Sequence, residues 1–209
     1  NKNKGKLNVG GIVGRFDSAL ETLENLNCIN DIDIAIKAAA GQAVANIGGM
    51  IGLVTDTATD IKMAMQNVNG QYYKYEGTLI SNVDGTLNYG GVFGNVSYSE
   101  VSADREIKIA NAIAGNALKV YNTFDKADVN VGGIVGETSG YIRSAITKVN
   151  IYTIGDNVGG ILGNISSDDT NLASKTLVMG DLLTSSDSAV NLDRTSGIQI
   201  TPNQNFAWN

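Results

Sequence analysis

Two pairs of closely spaced polar residues are the part of this sequence that could perform acid–base chemistry. Asp31 and Asp33 fall on one face of a predicted strand, and Asp168 stands in the same relation to Ser166. Paired carboxylates can act as general acid and base when a further polar group positions the substrate. No Lys or Arg stands at a matching place in the repeats described below. We therefore predict no catalytic residue, and a β-helix enzyme acting on polysaccharide ranks third among three hypotheses.

Histidine is absent from the 209 residues, and Cys28 is the single cysteine. The absence of histidine removes the commonest general base, the commonest metal ligand and every Ser-His or Cys-His nucleophile. One cysteine excludes an internal disulfide and a cysteine-based zinc site. The sequence therefore predicts no metal site and no cofactor.

A cluster of aromatic residues is the strongest candidate for ligand binding. Tyr72, Tyr73, Lys74 and Tyr75 lie between two turn signals, Asn69-Gly70 and Asp84-Gly85. Tyrosines on an outlying loop can stack on sugars or anchor a protein partner. The alternative is that they lie over the protein's own surface.

The charge and the apolar stretches of the sequence argue against nucleic-acid binding and against a membrane span. Fifteen basic and twenty-one acidic residues give a net charge of −6, with no basic cluster that could neutralise a row of phosphates. The longest apolar stretch, Ile47 to Val54, is far shorter than the roughly 20 residues that cross a bilayer. We expect neither a nucleic-acid partner nor a membrane span.

The element that must position all these residues is a glycine-rich heptapeptide that occurs five times. It reads Asn, apolar, Gly, Gly, apolar, apolar, Gly, and it holds fifteen of the twenty-five glycines. Recurrence of this kind is typical of solenoids, in which stacked repeats share one core. The copies are NVGGIVG from Asn8, NIGGMIG from Asn46, NYGGVFG from Asn88, NVGGIVG from Asn130 and NVGGILG from Asn157.

Stacking the copies in register predicts continuous columns of like residues. The first motif glycine would form a column without side chains, where backbone can approach closely. Two apolar columns stand beside it with opposite parity, so either the strand is covered on both faces or a glycine turns the chain within the motif. The expected columns are Gly10, Gly48, Gly90, Gly132, Gly159, then Ile12, Met50, Val92, Ile134, Ile161, then Val13, Ile51, Phe93, Val135, Leu162.

Two further features of the motif bear on its chemistry. The recurring Asn suits a turn that leads into a strand, and stacked amides can form a hydrogen-bonded ladder. A calcium-binding repeat would need Asp after the third glycine. That position instead holds Arg15, Leu53, Asn95, Glu137 and Asn164, which argues against calcium.

Segments with alternating apolar residues lie between the motifs and predict further strands. They are DIDIAI from Asp31, DIKMAM from Asp60, EIKI from Glu106 and KVNIYTI from Lys148. One segment reads differently: between Phe16 and Cys28, Ser18 and Glu21 have capping-box spacing, and Leu20, Leu23 and Leu26 form an apolar edge. We predict one short helix there.

Together these patterns predict an all-β chain, a parallel β-helix or β-solenoid of about five to six rungs with insertions. Residues 1–209 form a single repeat domain, with 171–209 as a C-terminal cap. The repeat resembles the GLUG-type repeats of bacterial surface and secreted proteins, and Gly132 to Gly163 carries the best match. Such repeats occur in adhesin-like proteins and in the non-catalytic region of immunoglobulin A peptidases.

The resemblance implies an extracellular location, on a cell surface or secreted, and no catalytic residues. The first functional hypothesis is therefore a non-enzymatic module for adhesion or ligand binding, whose partner is a host or cell-surface protein or a glycan. The second is a structural rod, a stalk or filament subunit that self-associates through its ends, because exposed strand edges are ready to pair.

Overall fold

The fold was analysed in a computed structural model of the chain. It describes residues 5–17, 22–24, 29–31, 34–36, 42–55, 60–62, 73–81, 85–97, 106–107, 112–122, 128–139, 141–143, 145–153, 157–166, 173–174, 177–179, 182–184, 191–193 and 206–208. Within these ranges the protein is all-β, as predicted, and contains no helix.

The strands are short and follow one another along the described parts of the chain. In the first half they are β1 (Gly5–Gly10), β2 (Val13–Asp17), β3 (Thr22–Glu24), β4 (Ile29–Asp31), β5 (Ile34–Ile36), β6 (Gln42–Gly48), β7 (Ile51–Thr55), β8 (Asp60–Lys62), β9 (Tyr73–Ser81), β10 (Thr86–Gly90), β11 (Phe93–Ser97) and β12 (Glu106–Ile107). In the second half they are β13 (Ala112–Asn122), β14 (Val129–Gly132), β15 (Val135–Thr138), β16 (Tyr141–Arg143), β17 (Ala145–Thr153), β18 (Asn157–Gly159), β19 (Leu162–Ile165), β20 (Ala173–Ser174), β21 (Leu177–Met179), β22 (Leu182–Thr184), β23 (Asn191–Asp193) and β24 (Phe206–Trp208).

These strands form parallel sheets in which each repeat adds one strand beside the last. The first sheet has the order β1-β6-β10-β14-β18-β23, and the second has the order β2-β7-β11-β15-β19. A third, long-strand sheet runs β4-β9-β13-β17-β21-β24, with β5 also paired to β9 and β22 to β17. Two small sheets, β3-β8 and β12-β16-β20, complete the described pairings.

The heptapeptide is the corner that leads the chain from the first sheet into the second. Its first three residues end a strand of the first sheet, the next two form a bend, and the last two begin a strand of the second sheet. The glycines therefore turn the chain within the motif. The strand is also covered on both faces: Leu87, Asn88 and Tyr89 alternate along β10, and all three are 0% exposed.

The predicted columns are present. The register pairs Gly10 with Gly48, and the other first glycines of the motif follow in the same sheet. The column from Val13 to Leu162 pairs residue by residue in the second sheet. At the bend, the amides of Ile12 and Val13 both donate to the Met50 carbonyl at 3.0 Å. The same double contact recurs at Val92, Ile134 and Ile161, so the corners are joined as well as the strands.

Close approach of backbone atoms explains why the first and the third glycine of the heptapeptide are glycine. A Cβ on Gly90 would meet the Phe93 carbonyl of its own repeat and, at 2.7 Å, the Ile134 carbonyl of the next. A Cβ on Gly94 would lie 2.5 Å from the Gly52 carbonyl and 2.7 Å from the Asn46 carbonyl carbon. In folded proteins a Cβ atom essentially never lies within 3.0 Å of such a heavy atom. Glycine is thus required because neighbouring repeats meet backbone to backbone at the corner.

The apolar core lies on the inner side of these corners and is close to fully sequestered from solvent. Its largest members with less than 2% exposure are Tyr89, Phe93, Ile47, Met50, Leu79 and Leu87. The bend residues Met50, Val92, Ile134 and Ile161 are all 0% exposed. Ile12, which occupies the same column in the first repeat, is 54% exposed.

The predicted short helix is wrong for the described part of its range. Phe16 and Asp17 end β2, while Thr22–Glu24 form β3, which pairs in parallel with Asp60–Lys62. Residues 18–21 and 25–28 lie outside the described residues. A helix this short is marginal by itself, whereas a strand beside an existing repeat gains a hydrogen-bonded neighbour at once.

The described parts of the alternating segments are strands as predicted, but they do not form one column. β4, β5 and β17 belong to the long-strand sheet, whereas β8 and β12 belong to the two small sheets. In the C-terminal region, β23 pairs with β18 so that Asn191 stands beside Asn157 and Asp193 beside Gly159. The first sheet therefore continues into residues 171–209.

Candidate functional site

The motif asparagines form a ladder of side-chain hydrogen bonds along the first sheet. Each Nδ2 donates to the Oδ1 of the preceding repeat, from Asn46 to Asn8 at 2.9 Å, Asn88 to Asn46 at 3.0 Å, Asn130 to Asn88 at 2.8 Å and Asn157 to Asn130 at 2.6 Å. Asn46, Asn88 and Asn130 are at most 3% exposed. Buried amides are costly unless paired, so the ladder both satisfies these groups and fixes the register between repeats.

The ladder has a direction, since every donor points toward the lower-numbered repeat. The bends have the opposite sense: Gly11, Gly49, Gly91 and Gly133 donate from their amides to the first-glycine carbonyl of the following repeat. Side-chain amides therefore point toward the N-terminal edge, and bend amides point toward the C-terminal edge. The two edges of the array differ chemically.

Glu137 places a carboxylate beside this ladder. Its Oε2 accepts hydrogen bonds from Asn88 Nδ2 and Asn95 Nδ2, both at 2.6 Å, and its Oε1 accepts from Asn164 Nδ2 at 3.4 Å. Glu137 follows the third glycine of its motif and pairs with Asn95 and Asn164 in the second sheet. The corner brings this column against the asparagines of the first sheet.

The environment of Glu137 shifts the pKa of its carboxyl upward. Burial raises the pKa of its carboxyl above the ordinary value, and this effect exceeds the lowering by hydrogen bonds from Asn88 and Asn164. Asn95 responds to the same charge: its amide nitrogen faces the carboxylate, which leaves its buried Oδ1 without a described partner. Rotation of that amide would set an oxygen against the carboxylate.

This polar cluster ties neighbouring repeats together by hydrogen bonds. Its described residues supply amides and one carboxylate. Glu137 is surrounded by amides, and among the described residues no three His, Cys, Asp or Glu side chains are placed to hold a metal ion. Of the predicted carboxylate pairs, Asp33 and Asp168 lie outside the described residues. Ser166 is exposed, and its backbone amide donates to the Thr138 carbonyl at 2.9 Å.

The tyrosine cluster lies in a strand and not in the projecting loop that we expected. Tyr73, Lys74 and Tyr75 begin β9, which is paired with β13 on one side and with β4 and β5 on the other. Tyr72 lies outside the described residues. The turn signals on both sides suggested a loop, but β9 runs beside β13 for nine residues without a shift of register. The ligand-binding role of these residues stays a prediction.

Alternation along β9 separates the cluster between two faces of the long-strand sheet. Tyr73 and Tyr75 share a face with Leu79, which is 0% exposed, whereas Lys74 shares the opposite face with partly exposed Thr78. The register carries both faces across to the neighbouring strands. Ile151 and Thr153, on the same face as Leu79, are 0% and 5% exposed.

We call the opposite face the Lys/Tyr face. Thr78 pairs with Lys119 and Lys119 with Tyr152, so three polar residues cross adjacent strands at one level. Asp31 also reaches this face, beside Glu76. Sequence inspection missed this set because its members are about 30 to 40 residues apart and join only through the strand register. Its polar and aromatic members are Lys74, Glu76, Thr78, Lys119, Tyr121, Lys148, Asn150 and Tyr152, and the same register also places Ile80, Ile113, Gly115, Ala117 and Ile146 on this face.

Comparison with known proteins identified no relative of this chain. No protein-family model, curated protein or solved structure matches this chain. Within the described residues, no helix has the length and apolar character needed to cross a membrane.

Proposed function

We propose that residues 1–209 form one β-solenoid domain, a non-enzymatic extracellular module that binds a cell-surface or host protein or a glycan through the Lys/Tyr face. The observation that carries the proposal is the continuous register of β9, β13 and β17, which aligns polar and aromatic residues on one side of a sheet. The likeness of the motif to GLUG-type repeats supports the extracellular location.

The composition of the face suits recognition more than chemistry. It combines lysine, tyrosine, threonine and asparagine with Ile80, Ile113 and Ile146, and it has Glu76 and Asp31 at one side. Tyrosine offers a flat apolar surface with a polar tip, and lysine and asparagine offer hydrogen-bond donors around it. A parallel sheet holds the strands that carry these groups at a spacing of about 4.8 Å, so little backbone ordering is needed on binding.

Tyrosines on the two faces provide matched variants for the test. Wild-type protein, Tyr121→Ala/Tyr152→Ala and Tyr73→Ala/Tyr75→Ala would be applied to glycan and host-protein arrays, with thermal unfolding measured in parallel. We expect the first pair to lose about tenfold or more in affinity for any captured ligand, because stacking residues of this kind dominate interfaces. Tyr73 and Tyr75 share the face of buried Leu79, so we expect the substitution of these two residues to lower the stability of the protein instead.

Two results would contradict the proposed site. One is a ligand whose binding survives Tyr121→Ala/Tyr152→Ala. The other is selective loss of binding in a stably folded Tyr73→Ala/Tyr75→Ala protein, which would return the site to the Tyr72–Tyr75 cluster.

A structural rod is the second candidate function, and the in-register corners favour it. Each repeat is tied to the next by backbone hydrogen bonds at the bend as well as along the strands. A stack of this kind resists bending at its corners and extends by simple addition of repeats.

A further inference from the structure

Charged residues in the described strands of the long-strand sheet are confined to one side of it. These strands contain five charged residues, and all five lie on the Lys/Tyr face: Asp31, Lys74, Glu76, Lys119 and Lys148. The middle strands of the first two sheets, β6, β10 and β14 with β7, β11 and β15, contain no Lys or Arg. Three lysines are therefore gathered on one face of a chain whose net charge is −6.

The strand register sets the spacing of these lysines. Gly115 pairs with Lys74 on one side and with Lys148 on the other, so two lysines flank a residue without a side chain. Their strands are two apart in the sheet, which places the two lysine positions about 9.6 Å from each other. Lys119 lies further along the middle strand, about 13 Å from the Gly115 position. The three lysines are thus separate positive charges and not a continuous basic patch.

This spacing selects among polyanions. Duplex DNA carries one charge for about every 1.7 Å of its axis, and three separated lysines neutralise little of such a row. A polysaccharide in which acidic sugars alternate with neutral ones carries its carboxylates or sulfates apart, with hydroxyls between them. Asn150 shares the face with Lys148 on the same strand, and an amide side chain can both donate to and accept from sugar hydroxyls. The face matches the polysaccharide in charge and in hydrogen-bonding groups.

We propose that the Lys/Tyr face binds an acidic polysaccharide, with one carboxylate or sulfate between Lys74 and Lys148 at the open Gly115 position. Asp31 and Glu76 pair at the β4 side of the face, so the acidic polymer is expected to lie over β13 and β17 instead. This inference rests on the proposed binding through the Lys/Tyr face and names the chemistry of its ligand.

The tyrosines of the face favour a sugar polymer over an acidic polypeptide. Tyr152 is the register partner of Lys119, and Tyr121 lies beyond that lysine on the same strand and the same face. A tyrosine ring can cover the apolar side of a sugar ring while its hydroxyl makes hydrogen bonds. Aromatic residues therefore adjoin the third positive charge, where the next sugars of the chain would lie.

Affinity for defined polymers tests the proposal on the full chain. The protein would be titrated in a calorimeter with hyaluronan oligosaccharides, in which a carboxylated sugar alternates with a neutral one, and with chondroitin sulfate. Neutral dextran and poly-glutamate serve as comparison polymers. We expect binding to both acidic polysaccharides, none to dextran and weaker binding to poly-glutamate. Added salt should weaken the binding, because exposed charges are screened over about 8 Å at physiological ionic strength.

Two variants remove the features that the proposal requires. Lys74→Gln/Lys148→Gln removes both charges beside Gly115, and we expect affinity for hyaluronan to fall about tenfold. Gly115→Thr fills the open position with a residue that suits a strand, so it should weaken binding without lowering the unfolding temperature. Lys6→Gln/Lys62→Gln is the matched control, because it removes two lysines from β1 and β8, outside this sheet, and it should bind as wild type does. If Gly115→Thr fails to fold, the two lysine pairs alone decide.

Several results would overturn the proposal. One is a wild type that binds neither acidic polysaccharide, and another is equal or tighter binding of poly-glutamate, which would indicate an acidic protein partner. Equal losses in the two lysine pairs would reveal only a general effect of charge. A ligand from the arrays whose binding depends on Tyr121 and Tyr152 but not on Lys74 and Lys148 would overturn this inference and leave the proposed function intact. Binding that survives substitution of both pairs would contradict the proposed function as well.

Discussion

Glu137 places a carboxylate beside an otherwise neutral ladder and links the two sheets of the corner. Three asparagine amides from two other repeats converge on its carboxylate. Hydrogen bonds to a charged acceptor are worth more than neutral ones, about 1.5–3 kcal/mol each against about 1 kcal/mol. Burial of the charge offsets part of this gain, which is why the pKa of Glu137 is raised.

The raised pKa predicts how stability depends on pH. The folded protein holds the Glu137 proton more tightly than the unfolded chain does. The contribution of this residue to stability is therefore greatest below the unfolded pKa, near 4.3, and declines as pH rises through the higher folded pKa. Glu137→Gln removes the titration and can donate to the buried Oδ1 of Asn95. In chemical denaturation from pH 4 to 8, we expect the variant to gain stability relative to wild type as pH rises.

If the difference in unfolding free energy between Glu137→Gln and wild type were constant across that range, or grew toward acid pH, Glu137 would not be the residue that titrates. At neutral pH we expect the two proteins to differ by no more than about 1 kcal/mol, since the amide preserves shape and keeps one accepting oxygen.

At residue level, the asparagine ladder could be predicted but the role of Glu137 could not. The asparagines recur at one motif position, so alignment of the copies places them in a column. Glu137 was noted only as an exception to calcium-binding repeats. Its partner Asn88 is 49 residues away and in another sheet, so only the corner geometry reveals the contact.

Among the elements, the corner sets the tolerance of the fold to substitution. Gly90→Ala would place a Cβ against the Phe93 carbonyl of the same repeat and 2.7 Å from both Ile134 O and Gly136 N of the next. These are backbone atoms held by hydrogen bonds, so they cannot move aside independently. We expect a loss of about 3–5 kcal/mol in unfolding free energy, at the upper end for single substitutions.

Gly5→Ala is the matched control for this substitution. It lies at the start of β1, where an added Cβ has no atom within 4 Å. We expect a change within about 0.5 kcal/mol. Equal effects of Gly5→Ala and Gly90→Ala on thermal or chemical unfolding would show that glycine flexibility, and not close approach of repeats, is what the motif requires.

Strands were predicted correctly where the signal was local, and elements were predicted wrongly where a partner distant in sequence decided the structure. Strands were predictable from alternation, because period-two patterning is a local signal. The helix between Phe16 and Cys28 failed where Thr22–Glu24 gained a partner in Asp60–Lys62. The tyrosine segment was read as a loop for the same reason: its neighbours in the sheet, β13 and β4, are distant in sequence.

The described part of the molecule is organised by parallel addition of repeats. Six strands of the first sheet follow one another in chain order, from β1 to β23. Insertions between the motifs change the length of a repeat without changing the register of the ladder, which holds across spacings of 38, 42 and 27 residues.

In-register stacking of the repeats is the central claim, and disulfide cross-linking measures it directly. Asp17 pairs with Thr55 and Thr55 with Ser97, one and two repeats apart. In a Cys28→Ala background, Asp17→Cys/Thr55→Cys should cross-link readily, because adjacent strands lie about 4.8 Å apart, within the range a disulfide spans. Asp17→Cys/Ser97→Cys, about 9.6 Å apart, should not. Failure of the first pair, or equal cross-linking of the second, would contradict the stacked architecture.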